Sequence, residues 1–245
     1  MSSIKPEIDI TFFVPCFNEE KNISRTLDEI INAVESTSLT YEVIVVDDQS
    51  EDLTKEVVKK YIKKNKDRPV LLRENTVNLG LGRNYVDVSF VSKGEYYMLI
   101  NGDNAEPKET ILKILKEVGK ADMVIPFFGS KDKRNWFRRN ISRTFTLLVN
   151  LISGYKIQYY NGPVAHKKYN VMRWSPDTHG FAYQAEIIVK VLDERGSFIE
   201  VEIENVDREE GSSKAFTIKN IFSVTHSLLQ IFLRRLRKLL FYRNI

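Results

Sequence analysis

Asp103 is the first residue in this chain whose type and setting could do chemistry. The run Tyr96-Tyr97-Met98-Leu99-Ile100 has strand character and ends abruptly in Asn101-Gly102-Asp103-Asn104. In open α/β sheets, ligands sit just beyond the carboxyl ends of the strands. A carboxylate placed there can hold a hard cation, and the cation can hold a diphosphate. Asp103 is the candidate metal ligand, and Asn101, two residues earlier, offers a neutral carbonyl oxygen. The same residues are turn formers, so the stretch reads equally as a loop that ends a strand.

The elements that must position this turn alternate through the first half. Ile8 to Val14 reads as a buried strand. Asn18-Glu19-Glu20 opens a helix, its carboxylates favourable at the amino end. That helix has an apolar face of Ile23, Leu27, Ile30, Ile31 and Val34 at helical spacing. Glu42 to Val46 is a second strand, after which Ser50 or Asp52 can cap a helix burying Leu53, Val57, Val58 and Tyr61. Val70 to Leu72 is a third strand, and Asn78 to Asn84 a flexible turn into a helix stopped by Lys93-Gly94. Beyond the central strand, Pro107 marks a helix start, with Ile111, Ile114, Leu115 and Val118 on its buried face. Met123 to Ile125 is a fifth strand.

Such alternation implies an α/β fold with a mainly parallel sheet flanked by helices. The turns at residues 15–19, 47–50 and 101–104 then gather along one edge, placing Glu19, Asp48 and Asp103 around one crevice. Gly80 and Gly82 do not make a dinucleotide fingerprint, because Tyr85 stands where the third glycine belongs.

The second half breaks the alternation. Arg134 to Ile152 reads as a helix carrying Arg134, Arg138, Arg139 and Arg143, and residues 155–180 as irregular structure with short strands. Phe181 to Leu192 is a helix with Glu186, Phe198 to Val206 a strand, and the last 25 residues an amphipathic helix. His166 and His179 lack metal-ligand spacing, so surface or hydrogen-bonded roles are expected; Tyr159 and Tyr160 read as core. With 245 residues, 42% hydrophobic and 29% charged, the chain is long enough for one large domain with a sizeable core. No apolar run approaches the length of a transmembrane helix, and the amino terminus lacks a signal-peptide core. A single cysteine, Cys16, excludes an internal disulfide and fits a reducing compartment. The net charge of +4 is concentrated late: Thr217 to Ile245 holds six basic residues and no acidic one. The expected division is a catalytic domain over 1–215 and a basic amphipathic helix over 216–245, associated with a membrane or a partner.

The order of motifs adds a resemblance. Val14-Pro15-Cys16-Phe17-Asn18-Glu19-Glu20, Val45-Val46-Asp47-Asp48-Gln49-Ser50 and Asn78-Leu79-Gly80 resemble the opening of a family 2 glycosyltransferase of the GT-A fold. Gly180-Phe181-Ala182-Tyr183-Gln184-Ala185-Glu186 and the run from Val206 to Lys214 resemble its dolichyl-phosphate mannosyltransferase, or polyprenyl-phosphate glycosyltransferase, branch. The resemblance spans about Ile8 to Lys214. It implies a donor pocket of Pro15, Phe17, Glu19, Val46 and Asp48. Asn101, Gly102 and Asp103 would stand at the family's Asp-x-Asp, with Mg2+ or Mn2+. Lys131, Arg208 and Lys214 would lie at the donor diphosphate, Arg208 and Lys214 closing over it, and Arg138 and Ser142 would meet the acceptor phosphate, with Glu186 structural or on the acceptor side. Asp103, Arg208 and Lys214 would carry catalysis. Two positions depart from the pattern: Asn101 replaces the first Asp, and Ala105 stands where some relatives supply a further ligand, a place Asn104 can fill.

The reaction so implied is inverting transfer of a hexose, of mannose or glucose type, from a GDP- or UDP-sugar to a polyprenyl phosphate at the cytosolic face of a membrane. A small membrane partner protein is compatible with it, and nucleic acid is not a partner. A phosphate acceptor is already anionic near neutral pH and needs no general base, which suits a site richer in cations than in bases. Transfer to a hydroxyl of a glycan or glycolipid is the competing enzymatic reading. A non-catalytic nucleotide-sugar-binding subunit, suggested by Asn101, is the third.

Overall fold

The computed structural model describes residues 7–129, 132, 136–173, 182–204 and 218–241. Seven strands form one sheet in the order β3-β2-β1-β4-β6-β5-β7. They are β1 (Ile8–Cys16), β2 (Tyr41–Asp47), β3 (Val70–Glu74), β4 (Gly94–Leu99), β5 (Met123–Phe128), β6 (Ala165–Lys167) and β7 (Phe198–Ile203). All pairings are parallel except those of β6, which runs antiparallel to both β4 and β5. The helices are α1 (Ile23–Val34), α2 (Thr54–Lys64), α3 (Leu81–Val91), α4 (Lys108–Leu115), α5 (Trp136–Ser153), α6 (Lys168–Arg173), α7 (Tyr183–Asp193) and α8 (Ile218–Phe241).

The sheet separates two cores. On one face, Ile23, Leu27, Ile30 and Ile31 of α1, Val58 of α2 and Ile111 and Ile114 of α4 pack on Phe12, Val43, Val45 and Met98. On the other, Tyr85 of α3, Val149 of α5, Ile187 and Ile188 of α7 and Ile231 of α8 pack on Phe13, Ile44, Val46 and Tyr97. Strands buried on both faces explain why β1 and β2 read as continuous apolar runs rather than alternating ones. Phe13, Tyr85, Tyr97 and Tyr183 stack in the second core, with ring centroids of Tyr85 and Tyr97 4.9 Å apart.

Strand order reverses between β1 and β4, because β2 and β3 lie to one side of β1 and β4 to the other. A crevice opens at such a switch point, beyond the carboxyl ends of the two strands. Pro15 marks it. The β1–β4 ladder ends at the Phe13–Leu99 pair, and Pro15 has no N–H to continue it. Residues 101–104 therefore turn away from the sheet.

Several expectations need correction. Leu53 is exposed rather than buried, and as the residue preceding α2 it has no polar side chain to cap it. Ser50 accepts instead from the Asn18 N–H (3.0 Å). Asp52 accepts from the Glu20 N–H with Oδ2 (3.1 Å) and from the N–H of Thr54, the first residue of α2, with Oδ1 (3.0 Å), so it serves the start of α2 while tying the loop after β2 to the loop after β1. Residues 165–167 form β6, one of the short strands expected in this stretch, but residues 168–173 form the helix α6, and His166 is fully buried opposite Tyr97 and Met123. Burial lowers its pKa to about 4, so the ring is neutral at pH 7. Tyr160 is buried as expected, but Tyr159 is half-exposed and packs on Phe128. His179 lies outside the described residues.

Candidate active site at the switch point

Three loops and one turn meet at this edge, and hydrogen bonds fix their relative positions. Asp48 follows β2 and is 6% exposed. Its Oδ1 accepts from Asn75 Nδ2 (2.8 Å) and the Leu79 N–H (2.9 Å), and its Oδ2 from the Gly80 N–H (2.8 Å). Asn78 Nδ2 donates to the Asp48 carbonyl at 3.0 Å. The stretch read as a flexible turn is thus held by one carboxylate. Gly80 adopts a φ of 81°, which a residue without Cβ takes at no cost. Burial alone would raise the pKa of Asp48, but the hydrogen bonds from Asn75, Leu79, Asn84 and Gly80 outweigh it, and the net effect is a lowered value. Asp48 is therefore ionised at neutral pH.

The turn after β4 lies directly against the loop after β1. The Gly102 N–H donates to the Pro15 carbonyl at 3.2 Å. A Cβ at Gly102 would come within 2.7 Å of Cys16 Sγ, so no larger residue fits without movement. Asp103 is half-buried, and its Oδ1 accepts from the Ala105 N–H at 3.2 Å, closing a side-chain turn. Phe17 is exposed, while Pro15 and Glu19 are half-buried. Glu19 Oε2 accepts from Asn22 Nδ2 at 3.0 Å. Val46 is fully buried in the second core beneath this edge. Pro15, Glu19, Asp48 and Asn101–Asp103 are thus brought to one edge.

Beside the turn lies a cavity of about 260 Å³, lined by Leu99, Asn101, Glu106, Tyr159, Asn161 and Gln184 among others. Sequence reasoning missed Glu106, Asn161 and Gln184 here. Glu106 follows the Asp103 turn in the connection to α4, Asn161 precedes β6, and Gln184, expected only as part of a motif, enters on α7. Glu186, 1% exposed, sits on α7 one helical turn from Tyr183, which also lines the cavity. Arg138 and Ser142 share one face of α5 and are both half-buried. Arg139 Nη1 donates to the Asp132 carbonyl at 3.0 Å. Lys131, Arg208 and Lys214 lie outside the described residues.

The electrostatics of this edge bear on whether a metal fits. Burial raises the Cys16 thiol well above its usual value, and Glu19, Asp47, Asp103 and Asp52 raise it further. The thiol stays protonated and is no ligand. The same carboxylates would repel a diphosphate unless a cation intervened. Among the described residues, no cluster of three or more His, Cys, Asp or Glu could hold an ion by itself. Magnesium-type ions keep several waters and are held by one or two carboxylates together with substrate phosphates. One carboxylate, Asp103, with the Asn101 amide beside it and the buried Asn104 Oδ1, which has no hydrogen bond among the described residues, suits an ion that arrives with its diphosphate. Asn101→Asp adds an anionic oxygen at the cavity wall. It is expected to lower the manganese concentration for half-maximal nucleotide binding roughly tenfold, since ligand charge tunes the affinity of such sites. A titration in which the variant binds manganese no better would show that Asn101 does not face the ion.

A crevice at the switch point of a mainly parallel sheet, edged by carboxylates and floored by a fixed turn, defines an α/β protein whose ligand site lies beyond the strand ends. The chain belongs to glycosyltransferase family 2: its residues 11–181 match the family described as Glycosyl transferase family 2. It is 24% identical over 227 residues to an undecaprenyl-phosphate 4-deoxy-4-formamido-L-arabinose transferase of Edwardsiella ictaluri, a match covering 90% of this chain and 67% of that one. It is 30% identical over 144 residues to a dolichyl-phosphate beta-glucosyltransferase of Trichomonas vaginalis, covering 56% of this chain and 44% of that one. The mouse dolichyl-phosphate beta-glucosyltransferase is 36% identical over 126 residues, with 48% of this chain and 37% of that protein covered. The chain thus spans less than half the length of these last two relatives. The fold is the GT-A fold. Glucosyl-3-phosphoglycerate synthase from Mycobacterium tuberculosis, solved with UDP, superposes with a TM-score of 0.70 at 15% identity over 92% of this chain and 80% of that one. The same synthase solved with Mn2+ and UDP-glucose gives 0.68 at 16% identity over 94% of this chain and 79% of that one.

Proposed function

We propose that this chain transfers a hexosyl group, of glucose type, from a UDP-sugar to a polyprenyl phosphate, with inversion at the anomeric carbon. The observation that carries the reading is the contact between the Asn101–Asp103 turn and the loop from Pro15 to Glu19, which joins a diphosphate-binding carboxylate to a nucleoside-binding edge. The names of the relatives support a polyprenyl-phosphate acceptor and a glucosyl rather than a mannosyl donor. The UDP complexes of the structural neighbours support a uridine nucleotide.

In this reading Pro15, Phe17 and Asp48 hold the base and ribose, and the cavity beside Asn101 takes the sugar, with Asn161 and Gln184 as hydroxyl partners. A bound divalent ion would supply charge stabilisation to the diphosphate, held by Asp103 with Asn101. An acceptor phosphate oxygen attacks the anomeric carbon from the side opposite the diphosphate. The bond to the β-phosphate oxygen breaks with its electrons on that oxygen. The acceptor oxygen carries no proton to remove, so Glu186 serves the acceptor side structurally rather than as a base. Lys131, Arg208 and Lys214 complete the positive surroundings of the diphosphate.

Arg138 and Ser142 receive the acceptor phosphate, for which a guanidinium fork is suited. Arg138→Ala is expected to raise KM for the lipid phosphate by about tenfold or more, the cost of one charge-assisted hydrogen bond, with KM for the nucleotide sugar within about twofold. A defect confined to the nucleotide sugar would move Arg138 to the donor side.

We place the enzyme peripherally on the cytosolic face of a membrane, where the acceptor lipid's phosphate is presented. Among the described residues no helix is long and apolar enough to cross a membrane. The reading is tested by incubating the purified protein with radiolabelled UDP-glucose, Mn2+ and a polyprenyl phosphate in detergent. Label in a lipid product that mild acid releases is the expected result. Label confined to hydroxyl-linked product, or none with UDP-, GDP- and other nucleotide sugars in turn, would overturn it.

A further inference from the structure

Thr26 lies in the second turn of α1, is 1% exposed, and belongs to no motif that the sequence suggested. Its Oγ1 lies 3.0 Å from the Gly102 carbonyl and 3.4 Å from the Asn22 carbonyl of its own helix, and it accepts from the Asn104 N–H at 2.9 Å. A hydroxyl has one proton to give. The shorter contact takes it, so Thr26 donates to Gly102 and accepts from Asn104. One buried side chain therefore grips the backbone on both sides of Asp103.

The surroundings make this grip consequential. Asn104 has a φ of 57°, a left-handed conformation that a non-glycine residue keeps only when something holds it. Gly102 is pressed against Pro15 and Cys16, so the turn cannot retreat towards the sheet. The turn that leads into α1 is closed by the Glu19 carbonyl, which accepts from the N–H groups of Asn22 (3.0 Å) and Ile23 (2.9 Å). Thr26 thus links the helix that follows the nucleoside loop to the turn that carries the metal-binding carboxylate.

We infer that Thr26 is a positioning residue: it touches no substrate, but it fixes the Asp103 turn in the geometry that binds the cation and diphosphate together. The inference rests on the reading of Asp103 given above. Its consequence is specific. Losing the hydroxyl should weaken metal-dependent binding of nucleotide and leave metal-free binding, which depends on the Pro15 and Asp48 loops, as it was.

The test measures the affinity of the full chain for UDP by calorimetry, once with excess MnCl2 and once with EDTA, and takes the ratio. Thr26→Val keeps the side-chain shape and removes both hydrogen bonds. It is expected to cut the manganese-dependent gain by about tenfold, with the EDTA affinity within twofold, and Thr26→Ser is expected to restore the gain to within twofold. A large gain in the wild type that Thr26→Val retains within twofold would overturn the role of Thr26. So would a Thr26→Ser protein that falls as far as Thr26→Val, since packing of the methyl group would then be responsible. A wild-type ratio near one would instead overturn the metal reading of Asp103, on which the inference depends. Should Thr26→Val fail to fold, Thr26→Ala answers by the same ratio.

Discussion

Asp103→Ala is expected to lower sugar transfer by at least about a hundredfold, the loss that follows removal of one preorganised electrostatic group at a developing charge. Asp103 is the sole carboxylate of residues 101–104, its neighbour Asn101 is neutral, and Glu106 stands further on in the cavity wall. No other side chain of that turn can carry the anionic contact to a divalent ion. The fold should survive. The turn backbone is held by Thr26, at 3.0 Å from the Gly102 carbonyl and 2.9 Å from the Asn104 N–H, and by the Pro15 carbonyl, at 3.2 Å from the Gly102 N–H. None of these bonds uses the Asp103 carboxylate. The substitution removes the 3.2 Å bond from the Ala105 N–H, a part-buried contact between residues two apart. Transfer kinetics beside thermal unfolding decide the matter. A folded variant with wild-type transfer would show that the diphosphate is held elsewhere, and a variant that unfolds would make Asp103 a structural residue.

The parts of the fold that could be read from sequence were those governed by a single period. The apolar spacing of Ile23, Leu27, Ile30 and Ile31 places all four in the core, and β1 and β2 emerge where buried runs stand between turn residues. The edge of loops followed from parallel topology alone. Asp52 holds the first N–H of α2, as a local rule allows, but Ser50 and the second oxygen of Asp52 reach the loop after β1, a tertiary partner that no local rule contains. Short strands were expected between residues 155 and 180, but the place of β6 between β4 and β5 was hidden for a related reason. Its three residues are too short for a pattern, and it exists because β4 and β5 leave a gap that an antiparallel strand fills. The turn at Asn101–Asp103 was legible as the end of β4, since an apolar run gives way to polar residues there. Its support was not, because Thr26 looks like any helix-face threonine until residues 76 to 78 positions later fold against it.

A second large effect is expected at the surface of α5 and α8. Leu147 and Leu151 of α5 are 67% and 78% exposed, and Leu240 and Phe241 of α8 are 66% and 75% exposed. The apolar stripe expected on α8 from spacing includes Leu229, Phe232, Leu236 and Leu240, and all four are exposed. Of the stripe, Leu228 does turn inward and packs on the second core, beside buried Ser227 and Ile231, and Lys238 pairs with Asp193 of α7 at 3.1 Å. Removing α8 would therefore strip the core. Losing the packing of a residue such as Ile231 costs about 2–5 kcal/mol, whereas a partly exposed ion pair like Lys238–Asp193 contributes at most about 1 kcal/mol. Substitution on the outward face, not truncation, isolates membrane binding. Neither α5 nor α8 carries an acidic residue, and Arg143 and Arg237 are exposed, which complements an anionic bilayer. Each exposed leucine or phenylalanine that enters the interface contributes about 1.5–3 kcal/mol, and each basic residue near the surface about 1 kcal/mol. The wild-type chain is expected to sediment with phosphatidylserine-containing vesicles at low salt and to be partly released at high salt. Leu147→Glu, Leu151→Glu and Phe241→Glu combined should reduce the bound fraction at least about tenfold, because three carboxylates both forgo the burial and meet like charge. UDP affinity should not change, since none of the three lines the cavity or the Asp103 turn. If the triple variant sediments as the wild type does, α5 and α8 do not face the bilayer, and the lipid phosphate must reach Arg138 from another side.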